Sequence, residues 1–342
     1  MHADEQPGTL IMHYLLEMLE KADKLGQLNA EFFVFPMVNP IGMAQIHHHH
    51  HNGRFDFSTG INFNRNWPDL ANCIISDDEE ITGKFTQDIK DNKNRVISAV
   101  MKWISNQNPI TALDKLRLEI IKIAMHCDVV LDLHCDVHAL NHIYIAPQLM
   151  PEYQDLADWM DSRVTLTAEN SGGGSFDEVW SRLWIDIQRL CPNKPIPKPA
   201  LSATLEYRGL VDVEEALNRK DAENLMGFFI SRGFVNAKTE VIPPKTPPAL
   251  PFNATQILKS QVSGLVCYRV QLGQVVAEGE LIATILLLDG PNAFRSSVPI
   301  YAGTSGIIFS MMLQKYTWKG ETIAKIAGSK ALPDRTGVLL EA

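Results

Sequence analysis

The feature that most constrains this chain is a proline seam late in its length, Val241-Ile-Pro-Pro-Lys-Thr-Pro-Pro-Ala-Leu-Pro251. Five prolines in eleven residues fix φ five times and remove five backbone donors, so neither a helix nor a central strand can run through it. A stiff extended linker over residues 241–252 is predicted, dividing the 342 residues into a part spanning 1–240 and a part spanning 253–342. Two domains suit a chain longer than one hydrophobic core usually organises.

Before the seam, helical and strand-like patterns alternate. Leu10–Leu25, Lys90–Ser105, Ala112–His126, Glu152–Thr165, Ser175–Leu190 and Val213–Ser231 read as helices, the first stopping at Gly26. Glu31-Phe-Phe-Val-Phe-Pro36, Asp128–Leu133 and Leu201–Tyr207 read as buried strands. Such alternation predicts an α/β layer, a mixed and mainly parallel sheet flanked by helices.

After the seam the chain reads as almost wholly β and repeats itself. Ser263-Gly264-Leu265-Val266 recurs as Ser305-Gly306-Ile307-Ile308, and Gly279-Glu280-Leu281-Ile282-Ala283 as Gly320-Glu321-Thr322-Ile323-Ala324, at offsets of 42 and 41 residues. Two β units of this length predict a small two-fold sandwich or barrel. Gly273-Gln-Val-Val-Ala-Glu-Gly-Glu280 resembles the turn of biotinyl/lipoyl-type domains, which carry a modifiable lysine on the hairpin between their halves. Here that hairpin, Leu287–Ser297, has no lysine, so a carrier role is not expected.

Composition excludes several classes. Thirty-one basic against forty acidic residues leave a net charge of −9, which disfavours nucleic acid or an anionic membrane as partner. No apolar run approaches the roughly 18 residues of a membrane span. The five cysteines form no C-x-x-C pair, so reduced thiols and a cytoplasmic location are expected. Homo-oligomerisation is left open.

Four segments offer chemistry. His2 and Glu5 are spaced so that both could turn to one ion, or Glu5 could merely cap the chain ahead of Pro7. His134 ends a buried strand, at the sheet edge where open α/β folds place ligands, although a structural histidine would read the same way. His138 and His142 follow at four-residue spacing, but the strand-like residues around them make a single helical metal face improbable. Arg54, Asn62 and Asn64-Arg65-Asn66 lie in loop-rich sequence, the last three between Phe63 and Trp67, where two arginines and three asparagines suit a carboxylate, although a solvated loop with ordinary salt bridges would read similarly. Glu206 sits on an apolar strand, and an acid there is costly unless paired or functional. Pairing with Arg208 explains it poorly; a general base explains it better.

The order H-x-x-E, Arg, Asn-Arg, strand-His, strand-Glu, together with Asn39-Pro-Ile-Gly42 and Gly53-Arg-Phe-Asp56, resembles the succinylglutamate desuccinylase/aspartoacylase family of zinc carboxypeptidase-like hydrolases. The resemblance spans Met1 to about Val235 and also suits the appended β domain. It implies one Zn2+ held by His2, Glu5 and His134, with Glu206 as general base and acid and Arg54 steadying the oxyanion. Asn64 and Arg65 would hold the carboxylate of a small anionic N-acyl amino acid. The implied activity is hydrolysis of that amide. Metallocarboxypeptidase action on short peptides, or a non-catalytic binding role, are the alternatives.

Two features depart from the pattern. In the family H-x-x-E follows a strand, whereas here His2 is the second residue; the expectation is a catalytic domain lacking its first strand, with a ligand loosely held near a fraying terminus. The run His47–His51 is the second. It reads either as a solvated loop insertion or as a metal scavenger near the mouth of the site.

Overall fold

Helix α1, Pro7–Lys24, shows how the first part assembles. Proline occupies its first turn, where no donor is needed, and Ile11, Tyr14, Leu15, Leu19 and Ala22 form one buried face at helical spacing. Gly26, at φ 64°, ends it: its N–H bonds to Asp23 and that of Gln27 to Ala22. The computed structural model describes residues 1–340.

The further helices of the first part are α2 (Pro40–Met43), α3 (Leu70–Asp77), α4 (Ile89–Ser105), α5 (Ala112–Ala124), α6 (Gln154–Met160), α7 (Phe176–Leu190) and α8 (Glu215–Ser231). A short hairpin, β1 (Ile46–His47) and β2 (His50–His51), stands apart. The main sheet comprises β3 (Val129–Asp136), β4 (His142–Ile145), β5 (Val164–Thr167), β6 (Leu201–Gly209) and β7 (Leu250–Pro251), in the order β3-β6-β4-β5-β7. Three neighbour pairs are parallel and β4–β6 is antiparallel, so the sheet is mixed and mainly parallel as expected. On β6, Leu201, Ala203, Leu205 and Tyr207 face the core shared with α1, α6 and α8. The opposite core gathers residues of α3, α4, α5 and α7, among them Val100, Ile121, Trp180 and Leu183.

Two strand assignments need correcting. Glu31–Pro36 has strand patterning, with Phe32 and Val34 packed inward and Phe33 and Phe35 exposed, but no strand pairs with it among the described residues. Period-two alternation reports which face is covered and not whether a neighbour completes the ladder. Likewise β3 is a sheet edge, so Val129, Val130 and Leu131 are half-buried although both faces of the sheet are covered. The helix read through Thr165 stops at Met160: Asp161 turns left-handed at φ 51°, and Val164–Thr167 becomes β5.

Past the prolines, β8 (Thr255–Lys259), β9 (Gly264–Tyr268), β10 (Val275–Val276), β11 (Leu281–Leu287), β12 (Ser297–Tyr301), β13 (Gly306–Met311), β14 (Tyr316–Thr317) and β15 (Thr322–Gly328) form two four-stranded antiparallel sheets. The sequence repeat appears as β9 and β11 in one sheet against β13 and β15 in the other. Each repeat lends its short strand to the other's sheet: β10 pairs with β13, and β14 with β9. Ile282, Ile285, Ile308, Ile323 and Ile326 fill the space between the sheets.

The β part docks directly on the sheet that carries the chemistry. Leu140 N–H donates to Phe309 O at 2.9 Å and Met311 N–H to His138 O at 2.9 Å. Val164, Leu166, Phe252, Phe309 and Ala327 share one apolar cluster across the seam. Lys325 Nζ reaches Asp136 Oδ2 at 2.7 Å. No helix of the described residues is long and apolar enough to cross a membrane.

Candidate active site

The carboxyl end of β3 delivers His134, and parallel pairing sets Glu206 of β6 directly beside it. The turn before α1 brings His2 and Glu5 to the same place. These three residues are buried and offer ligand atoms within 4.8 Å of one another. Glu5 bridges the two histidines, with Oε1 2.8 Å from His2 Nδ1 and Oε2 2.5 Å from His134 Nδ1. The Cys135 N–H donates to Glu5 Oε2 at 3.2 Å. A loosely held terminus is therefore not what forms: His2 is 8% exposed and its Nε2 meets Asn62 Oδ1 at 2.8 Å.

The far side of each imidazole fits metal binding. His134 Nε2 lies 2.7 Å from Asp132 Oδ2, so both histidines turn Nδ1 to the shared centre while a side-chain oxygen holds the other nitrogen. That is how ligating histidines are oriented. Arg54 supplies a stand-in positive charge: its Nη1 sits 3.0 Å from Glu5 Oε1 and 3.2 Å from His2 Nδ1. The residues present could thus hold one ion through two nitrogens and a carboxylate, the donor set of a zinc site with an open position.

The electrostatics match. Burial opposes a charge on His134, but Asp132 and Glu5 on either side hold its pKa up at about 10. Burial pushes His2 down to about 4. Despite burial, Asp132 is held well below the usual carboxylate range by His134 and the amino group of Met1, 3.1 Å away. Burial, then the charge of Glu5, raises Glu206 to about 8, and its Oε2 has no partner among the described residues. Arg208 pairs with Asp221 instead, which removes the salt-bridge explanation for Glu206.

The remaining sequence candidates converge on one cleft of about 710 Å³ that Arg54, Asn64, Arg65 and Glu206 all line. Asn64 is buried; its Oδ1 accepts from the Phe176 N–H at 2.9 Å, and its Nδ2 lies 3.3 Å from His134 Nε2. Arg65 lies against Gly173, where a Cβ would come within 3.1 Å of its Cδ. The β part contributes Ile257, Lys259, Met311 and Lys325 to the same walls, and Leu339 and Leu340 close another side. His142 is buried on β4 with Nδ1 on Leu140 O, outside the three-residue group, and His138 does not join that group either.

Three contributors carry no role in the sequence reading. Asp132 shares a strand face with His134, two residues on, and that spacing alone could have flagged it. Asn62 lies in the Asn-rich loop already singled out. Arg117 of α5 leaves no local signal: its guanidinium donates to the carbonyls of Asn62 (3.3 Å) and Arg65 (2.5 Å) and lies over Trp67, locking the loop from 55 residues away.

The fold is the zinc carboxypeptidase-like α/β fold, and at its sheet edge His2, Glu5 and His134 form a group that could hold a metal ion. Residues 1–116 match the zinc carboxypeptidase family model. A protein of Shewanella frigidimarina described as a succinylglutamate desuccinylase/aspartoacylase shares the fold at a TM-score of 0.79 and 20% identity, over 96% of this chain and 86% of that one. A succinylglutamate desuccinylase/aspartoacylase family protein of Shewanella amazonensis gives 0.76 at 20% identity, over 95% and 88%. The ectoine utilization protein EutE of Ruegeria pomeroyi gives 0.61 at 15%, over 96% and 82%. No curated protein matches the sequence. The family model thus covers the first third of the chain, and the fold of the whole is the one shared with these succinylglutamate desuccinylase/aspartoacylase family structures.

Proposed function

We propose that this chain is a zinc-dependent amidohydrolase that cleaves the amide of a small N-acyl amino acid. The supporting observation is the buried His2–Glu5–His134 group with Glu206 beside it on the neighbouring strand, all opening into one cleft. A zinc ion held by His2, Glu5 and His134 would supply Lewis acidity, making water nucleophilic near neutral pH and polarising the amide carbonyl.

The chain's own residues supply the rest. Glu206, with a free buried oxygen and a pKa raised towards neutrality, takes a proton from the attacking water and returns it to the leaving amine. Arg54 donates to the oxygen that gains charge as the carbonyl becomes tetrahedral. Arg65 grips the substrate carboxylate in a planar fork. Asn64 serves that grip by tying the loop to the start of α7 through Phe176. A cleft of about 710 Å³ lies in the range of small-molecule sites.

The test is hydrolysis of N-acetylaspartate, N-succinylglutamate and short peptides, side by side, by zinc-loaded protein. The proposal expects turnover of an N-acyl amino acid that is lost on chelation and in Glu206→Gln. Faster release of a peptide's C-terminal residue would favour a carboxypeptidase. Folded protein that binds no zinc would leave a non-catalytic role.

A further inference from the structure

The histidine run takes no part in the centre just described, yet it is a defined structure. His47 and His50 are direct partners across the β1–β2 hairpin, so their side chains project from the same face. The two turn residues are also histidines, His48 at φ 47° and His49 at φ 65°. Hairpins of this two-residue type usually place Asn-Gly there, because a Cβ makes left-handed backbone costly. Histidine is among the non-glycine residues that tolerate this backbone, and at these positions it sets two further imidazoles at the tip of the hairpin.

The nitrogens of these histidines are not gathered as the ligand atoms of His2, Glu5 and His134 are, so binding needs rotation of exposed rings. The ring centroids of His47 and His48 lie 4.0 Å apart, and His47, His48, His49 and His50 are exposed. No hydrogen bond ties their ring nitrogens to another described residue. His51 differs: its Nδ1 accepts from Gln6 Nε2 at 3.3 Å and its Nε2 donates to Gly42 O at 3.1 Å, so it fixes the hairpin rather than offering a ligand. The hairpin's base adjoins the turn that carries His2 and Glu5, where the Ala3 N–H donates to Gly53 O at 3.0 Å.

We propose that this hairpin is a second metal site, exposed and exchangeable, in which His47, His48 and His50 bind one Zn2+ or another borderline divalent cation. Imidazole nitrogens select Zn2+, Ni2+ and Cu2+ over Mg2+ and Ca2+. Water completes the coordination, and the affinity is below that of the buried centre because no fixed partner orients these rings.

Metal-depleted protein titrated with Zn2+ against a chromophoric chelator tests it. Native chain is expected to take up two ions, one tight and one weaker. His47→Gln/His48→Gln/His50→Gln, a change confined to exposed side chains, should lose only the weaker. His134→Ala should lose the tight ion and keep the weaker, so a failure of the buried zinc centre is distinguishable from a failure of the hairpin. Zinc uptake by the triple variant equal to that of the native chain would overturn the proposal. Mg2+ in place of Zn2+ should give no uptake at the hairpin; binding there would overturn the imidazole assignment.

Discussion

Asp132→Asn probes the buried centre most directly, because two effects of opposite pH dependence meet in one side chain. Asp132 Oδ2 lies 2.7 Å from His134 Nε2 and both groups are buried. Losing the carboxylate that orients a ligating histidine costs about 10–100-fold in metal affinity, or about 1.4–2.7 kcal/mol. The same carboxylate is the largest influence raising His134 to about 10 in the metal-free protein. Native His134 is therefore protonated through the neutral range, and each ion bound must expel that proton. Zinc affinity of the native chain should then rise about tenfold per pH unit up to the His134 pKa. In Asp132→Asn the largest influence raising His134 is gone, its pKa falls, and that slope flattens. The native chain should therefore gain on the variant as pH rises from 6 to 8, its proton cost offsetting the orienting effect of the carboxylate most at the low end. Chelator competition at pH 6, 7 and 8 measures it. Equal slopes in the two proteins would refute the role given to Asp132.

Other outcomes follow from the same geometry. Glu206→Gln should abolish turnover while zinc content, read by mass analysis, stays native; native turnover should rise with pH as Glu206 deprotonates, since the base form does the work. Arg54→Ala removes one oxyanion donor, about 3 kcal/mol, so kcat should fall by about two to three orders of magnitude with zinc retained. Lys325→Met leaves the part-buried Asp136 carboxylate without its lysine and should cost up to about 3 kcal/mol of stability by denaturant unfolding. Lys325 holds Asp136 well below the usual carboxylate range against the effect of burial. With the folded pKa depressed, that stability is present above the unfolded value of about 3.9 and lost as pH falls through the folded one. The native chain should therefore lose more stability on acidification than the variant.

The fold was legible in the sequence wherever pattern and punctuation agreed. Periodicity and Gly26 marked α1, the apolar runs marked β3 and β6, and the repeat announced the exchanged β sheets. Where pattern met only half the requirement, the reading failed. Glu31–Pro36 alternates as a strand should, but hydrogen-bond partners lie elsewhere in the chain and leave no local trace. The site divides the same way. His2, Glu5, His134 and Glu206 stand in motifs because their chemistry demands particular residues at particular places. Arg117 does not: any element passing behind the loop could have supplied the cation that gathers its carbonyls. Asp132 falls between, since its two-residue spacing from His134 puts both on one strand face, but only the folded distance shows that it orients the ring.

The net charge of −9 gains its meaning from the docking of the two parts. At long range such a chain repels an anionic substrate, and over distances beyond about 8 Å salt screens that repulsion. Recognition must therefore be local. Arg54 and Arg65 come from the first part, while Lys259 and Lys325 of the β part line the same cleft. Asp136 already neutralises Lys325 through their 2.7 Å pair, so that lysine fastens the wall rather than greeting the substrate. The β part thus acts on the site in two ways. It adds cationic side chains, Lys259 and Arg335, to the walls, and it closes a side of the cleft with Ile257 and Met311. A chain cut at the proline seam would expose Phe309's partners Val164 and Leu166 and open the cleft on that side. In the proposed reaction, specificity for small substrates would then belong to the docked pair of parts and not to the sheet carrying His134 and Glu206 alone.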